Sequence, residues 1–135
     1  MHRRGFTMTE VLIAVAMVAI LAAMAVPQFQ RTTERSYWRS ARNILETIYA
    51  GEQIYYLRHD GYQPLTLTST VVDWREIFMD DSNLDTTIPV DFTVAESGVT
   101  FTATATRVGG PCDTRTQTID QDRAVGGTWP DTGEC

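Results

Sequence analysis

The chain contains no lysine; all eleven of its basic residues are arginine. It has two cysteines and two histidines, and from Phe6 to Gln30 a single ionisable side chain, Glu10. Each scarcity excludes something. The histidines fall at position 2 and at His59, the end of a helical pattern, where a cation favours the helix C-terminus and no ligand cluster forms around it. No serine sits in a nucleophile motif, and no glycine-rich loop follows a strand and opens a helix. Nothing in the residues asks for catalysis or for a cofactor. Charge is divided along the chain: residues 1–43 hold six arginines and two glutamates, residues 44–135 five arginines and fifteen acids. The acidic part argues against direct nucleic-acid binding.

What is present instead is a long apolar run. The twenty-one residues from Phe6 to Val26 span about 31 Å at a helical rise, enough to cross a hydrocarbon core. Arg3 and Arg4 stand before the run and Arg31 after it, and the leading arginines favour a cytoplasmic N-terminus with the remainder exported. A carboxylate within such a segment costs about 2.5–3.5 kcal/mol at mid-bilayer and less near the interface. Glu10 therefore needs a partner.

Met1-His2-Arg3-Arg4-Gly5, then Phe6-Thr7-Met8-Thr9-Glu10, then an aliphatic run reaching Pro27, resembles a type IV prepilin over residues 1–30. Met8-Thr9 departs from the family pattern, where Leu-Ile or Leu-Val is commoner. The resemblance implies a leader peptide at 1–5, a transmembrane and filament-core helix at 6–30, and a periplasmic or extracellular globular domain at 31–135. It implies cleavage after Gly5 by prepilin peptidase and N-methylation of Phe6. It also implies assembly through Glu10, which pairs with the terminal amine of a neighbouring subunit, although pairing within one chain is equally compatible with the residues. The implied partners are further copies of the chain or other pilin subunits, the peptidase, an inner-membrane assembly platform, and the membrane itself before assembly. The implied location is the bacterial inner membrane, then an extracellular pilus or a periplasmic pseudopilus.

Other readings fit parts of the same stretch. Ala23-Met24-Ala25 offers a small-x-small secretory cleavage site after a hydrophobic core, and an ordinary single-span anchor would need only the run. Against the first stand the acid at the start of the run and a helical period that continues past Pro27; the second leaves Gly5, Phe6 and Glu10 unexplained. A pseudopilin of a type II secretion system and a signal-anchored extracytoplasmic binding module are the alternatives to a pilus subunit.

Beyond Pro27, which removes a helical hydrogen bond and is expected to kink the axis, the pattern resumes. Phe29, Tyr37, Ala41, Ile44, Leu45, Ile48 and Tyr55 recur at helical intervals, with Arg35, Arg39, Arg42 and Glu46 on other faces. One helix is expected from Thr7 to Arg58, stopped by Asp60-Gly61 and Pro64. Gly51 inside it suggests a close backbone contact. Asp73-Trp74-Arg75-Glu76 reads as a capping box opening a short helix through Met79. Strands are expected at Val90–Val94, at Val99–Thr106 after a turn at 96–98, at Thr114–Asp120, and at Arg123–Trp129 as a strand or extended tail. The fold class is α+β: a long kinked N-terminal helix whose C-terminal half packs on a small antiparallel sheet, type IV pilin-like.

In an exported protein the even pair Cys112 and Cys135 reads as a disulfide. Its loop of about twenty residues would contribute roughly 3 kcal/mol by chain entropy. Asp81, Asn83 and Asp85 match the first three ligand positions of a calcium loop, but Thr86 stands where glycine is needed and Phe92 where the bidentate glutamate belongs. A solvated acidic loop, with no metal, is the expectation. Tyr37, Trp38, Tyr49, Tyr55 and Tyr56 crowd one helix, as core or subunit-interface aromatics do.

Overall fold

The computed structural model describes residues 6–84 and 87–135. Its first element, α1, runs Met8–His59, 52 residues, about 78 Å at a helical rise. The helix continues through Pro27. It ends at Asp60, which adopts φ 54° and donates its N–H to the Tyr56 carbonyl at 2.9 Å. The left-handed residue is therefore Asp60 and not the neighbouring glycine; a short polar side chain tolerates that region.

The helix has two halves with different surroundings. Every residue from 6 to 32 is exposed, whereas Glu34, Ala41, Leu45, Ile48, Gly51 and Glu52 are buried. Those six positions share one face, and that face rests on a four-stranded sheet.

The sheet is an antiparallel meander in sequence order: β1 Val90–Ser97, β2 Thr100–Arg107, β3 Thr116–Asp120 and β4 Val125–Gly127. Alternation sets its inner face. Phe92 pairs with Ala105, which pairs with Gln117; Val94 pairs with Ala103, which pairs with Ile119. All six are buried. The small side chains of Ala103 and Ala105 on the central strand leave room for Ala41, Leu45 and Ile48 of the helix. The outward row Thr93, Thr104 and Thr118 runs across the same strands, β-branched and polar, as a solvated face requires. Val99, expected to share the inward alternation, lies instead in the hairpin turn, exposed, because the strand begins at Thr100.

The connection from helix to sheet closes one sheet edge. Its short helix, α2, spans Val71–Glu76, and its cap lies three residues before the expected one. Thr70 precedes it, and the Asp73 carboxylate accepts from the Thr70 N–H at 2.6 Å and hydroxyl at 2.9 Å. Asp73 thus serves as the acid reaching back to the helix start, not as the cap. Trp74 and Ile77 are buried, and Ile77 comes so close to Gly51 that a Cβ there would lie 2.3 Å from the Ile77 carbonyl oxygen. Farther on, Leu65 exchanges backbone hydrogen bonds with Val94 at 3.0 and 2.7 Å. A one-turn 3₁₀ segment, Ser82–Leu84, places Asn83 so that its amide donates to the Phe92 carbonyl at 3.0 Å and accepts from the Phe92 N–H at 2.6 Å. An open strand edge is a template for unwanted pairing; here a loop residue and a side-chain amide occupy it.

Candidate functional site

The exposed half of α1 is the feature that the globular fold does not explain. An 18-residue window within it has mean hydropathy 2.4, and none of that window is buried. By length and composition it can cross a membrane. Thr7 caps its start: the Thr7 hydroxyl accepts the Glu10 N–H at 3.3 Å, and the Glu10 carboxylate accepts the Thr7 N–H and hydroxyl, both at 2.8 Å. This reciprocal capping box satisfies donors that a helix start leaves open. It also turns the carboxylate back toward the N-terminal end. Among the described residues no cation pairs with Glu10. Phe6, beside it, is exposed; Gly5 and the rest of residues 1–5 lie outside the described residues.

Where the helix enters the domain it is clamped from two sides. Glu34 and Arg107, each at most 5% exposed, form two hydrogen bonds: Nε to Oε2 at 3.0 Å and Nη2 to Oε1 at 2.8 Å. The remaining guanidinium nitrogen donates to the carbonyls of Pro89 and Val108. The guanidinium also lies 4.8 Å from the centre of the Tyr37 ring. A buried ion pair is tolerable only when its remaining polar atoms are satisfied in this way. On the other side the C-terminal segment lies along the helix. Arg35 donates to the Thr132 carbonyl at 2.6 Å, Trp38 to the Trp129 carbonyl at 3.2 Å, and Arg31 meets Glu134 at 3.0 Å. Gly133, at φ 68°, approaches the backbone of Arg31 too closely for a side chain. Cys112 is bonded to Cys135, a sequence separation of 23, which ties this segment to the β2–β3 loop. Between the clamps a groove of about 210 Å³ opens, lined mainly by Phe29, Thr33, Tyr37, Arg107 and Pro111.

Comparison with known proteins bears on the exposed helix. A family profile described as the prokaryotic N-terminal methylation motif matches residues 1–26. The type IV major pilin protein PilA of Myxococcus xanthus is 37% identical over 61 residues, 45% of this chain and 28% of that protein. The type IV major pilin protein PilE of Neisseria gonorrhoeae is 39% identical over 70 residues, 52% of this chain and 41% of that protein.

Over about half of its length the chain is similar to type IV major pilins, and its start carries the N-terminal methylation motif.

A fimbrial protein of Neisseria meningitidis is also 39% identical, over 75 residues, 56% of this chain and 44% of that protein. The matched stretches thus span less than half the length of these pilins. No solved structure was found to match the chain.

Other residues singled out in the sequence take structural places. Asp81 accepts the Asn83 N–H at 2.9 Å, Asn83 gives its amide oxygen to Phe92, and Asp85 lies outside the described residues. Tyr49, Tyr62 and Phe101 form tilted ring contacts at the edge of the core, and Tyr55 stacks on His59. Two buried charges escaped the sequence reading. Glu34 stands seven residues before Ala41 on the core-facing stripe, and Arg107 continues the inward alternation of Phe101, Ala103 and Ala105. Opposite charges at two core-facing positions were the available signal. Glu52 is the third surprise. It is fully buried, accepts the Gln63 N–H at 2.8 Å, and its Oε1 has no partner among the described residues. Burial pushes its carboxyl up to about 7, against the opposing pull of the Gln63 N–H.

Proposed function

We propose that the chain is a structural subunit of a type IV pilus-like filament, cut after Gly5, methylated at Phe6 and assembled through its apolar N-terminal helix. The observation that carries this reading is the joining of a wholly exposed apolar helix to a disulfide-tied, ion-paired domain, with a carboxylate at the helix start that meets no cation among the described residues. Cleavage would create an ammonium at Phe6, four residues from Glu10. Each charge is costly alone in an apolar setting, and pairing offsets much of that cost. Glu10 already points its carboxylate toward the N-terminal end of the helix, so the ammonium of an adjoining copy can reach it without unwinding α1. Before assembly the helix rests in lipid. Transfer into a bundle exchanges one apolar contact for another, so the net change is modest and packing decides it.

The test separates charge from capping. Glu10→Val and Glu10→Gln should both leave membrane insertion and cleavage intact, and both should abolish sedimentable polymer, although glutamine keeps an acceptor for the Thr7 N–H. Normal polymer from either variant would remove Glu10 from assembly. A polymer lost only with valine would assign Glu10 to capping alone.

A further inference from the structure

Apolar surface that the N-terminal helix does not account for is open around the end of α2. At the far end of the domain, α2 ends in two backbone hydrogen bonds: the Phe78 N–H to the Arg75 carbonyl at 2.9 Å, and the Met79 N–H to the Trp74 carbonyl at 3.1 Å. This is the Schellman arrangement, whose left-handed position glycine usually fills. Here Phe78 fills it, at φ 63°. A bulky residue takes that conformation only against a steric cost, and burial does not compensate, since Phe78 is 56% exposed. The Arg58 guanidinium lies over it, 4.7 Å from the ring centre. Ile54 and Leu57, also exposed, flank Arg58 on the helix. The result is a strained aromatic knob with a cation on top of it.

The groove between Phe29, Thr33, Tyr37 and Pro111 is the matching concavity. Its volume, about 210 Å³, suits one aromatic side chain. Beside it, Asp113 accepts the Gly109 N–H and pairs with no cation among the described residues, just as Arg58 pairs with no acid. Knob and groove lie toward opposite ends of the domain. Thr33 and Arg58 are separated along α1 by about 38 Å at a helical rise, so one chain cannot join its own two surfaces.

We propose that Phe78 of one copy inserts into the Phe29–Tyr37–Pro111 groove of the next, with Arg58 meeting Asp113 across the contact. This rests on the filament reading above and names a contact outside the helix bundle. The contact is head-to-tail, so repeating it extends a filament instead of closing a dimer. A displacement of that size lays the apolar run of one copy, itself about 38 Å from Phe6 to Arg31, along the domain of its neighbour.

Two measurements on the full-length chain test it. A photoreactive benzoylphenylalanine at position 78 should cross-link, in assembled material, to a peptide of a second copy containing residues 27–37 or 107–113. Cross-links only to lipid, to another protein, or elsewhere on the second copy would overturn the contact. Phe78→Gly relieves the left-handed strain, so the subunit should melt at a higher temperature while polymer yield falls roughly tenfold or more, as loss of a central aromatic anchor predicts. Unchanged polymer with a raised melting temperature would overturn the contact and leave the filament reading standing. A native chain that never polymerises would overturn both.

Discussion

Glu34 and Arg107 stand 73 residues apart in sequence and share two hydrogen bonds inside the domain. The pair fixes the register of α1 on β2 at the point where the helix leaves the domain. Removing one partner strands a buried charge. Glu34→Ala or Arg107→Ala should each cost about 3–5 kcal/mol, whereas the paired change Glu34→Leu with Arg107→Met should cost far less than the sum. Denaturant unfolding of the four proteins in one detergent gives the comparison; additive losses would mean the two side chains act separately.

Glu52 predicts an unusual pH dependence. Its folded-state value of about 7 lies above the ordinary 4.5, so the folded chain holds a proton that the unfolded chain releases. The resulting stabilisation is complete below the ordinary value and is lost as pH rises through 7. The span is on the order of 3 kcal/mol. Glu52→Gln should flatten the fall and leave the protein more stable than the native chain at pH 8. Melting curves from pH 4.5 to 8 check it; parallel curves would contradict the assignment.

Asn83 should matter more than its loop position suggests. Asn83→Ala removes both hydrogen bonds to Phe92 and leaves the polar backbone of β1 without those partners, at a cost of about 1–3 kcal/mol. It also bares a strand edge, so aggregation of the domain should rise with concentration. Asn83→Asp keeps the acceptor for the Phe92 N–H and should lose less. Light scattering alongside unfolding separates the two effects.

Much of this was legible in the sequence because periodicity is local. The apolar run, the stripe through Ala41, Leu45 and Ile48, and the alternation from Phe92 through Ala105 set the helix to within a residue and the first two strands to within three. The parts that escaped depend on distant partners. Glu34 and Arg107 each stand at a core-facing position, but nothing local pairs them until the fold brings them together. Asn83 sat in what resembled the start of a cation loop, and its engagement with Phe92 depends on how the connection returns to the β1 edge. Asp73 carried the correct capping chemistry, but its Thr70 partner lay upstream, so the short helix was placed late. Phe78 gave no warning, because nothing local marks a phenylalanine for a position that normally takes glycine.

On the proposed reading this chain, trimmed to Phe6, is the material of a fibre. The most direct measurement is the intact mass of the subunit in fibres sheared from cells. The expected subunit begins at a methylated Phe6 and has Cys112 bonded to Cys135. Fibres that lack this chain, or a mature chain that begins at Met1 or at Val26, would contradict it.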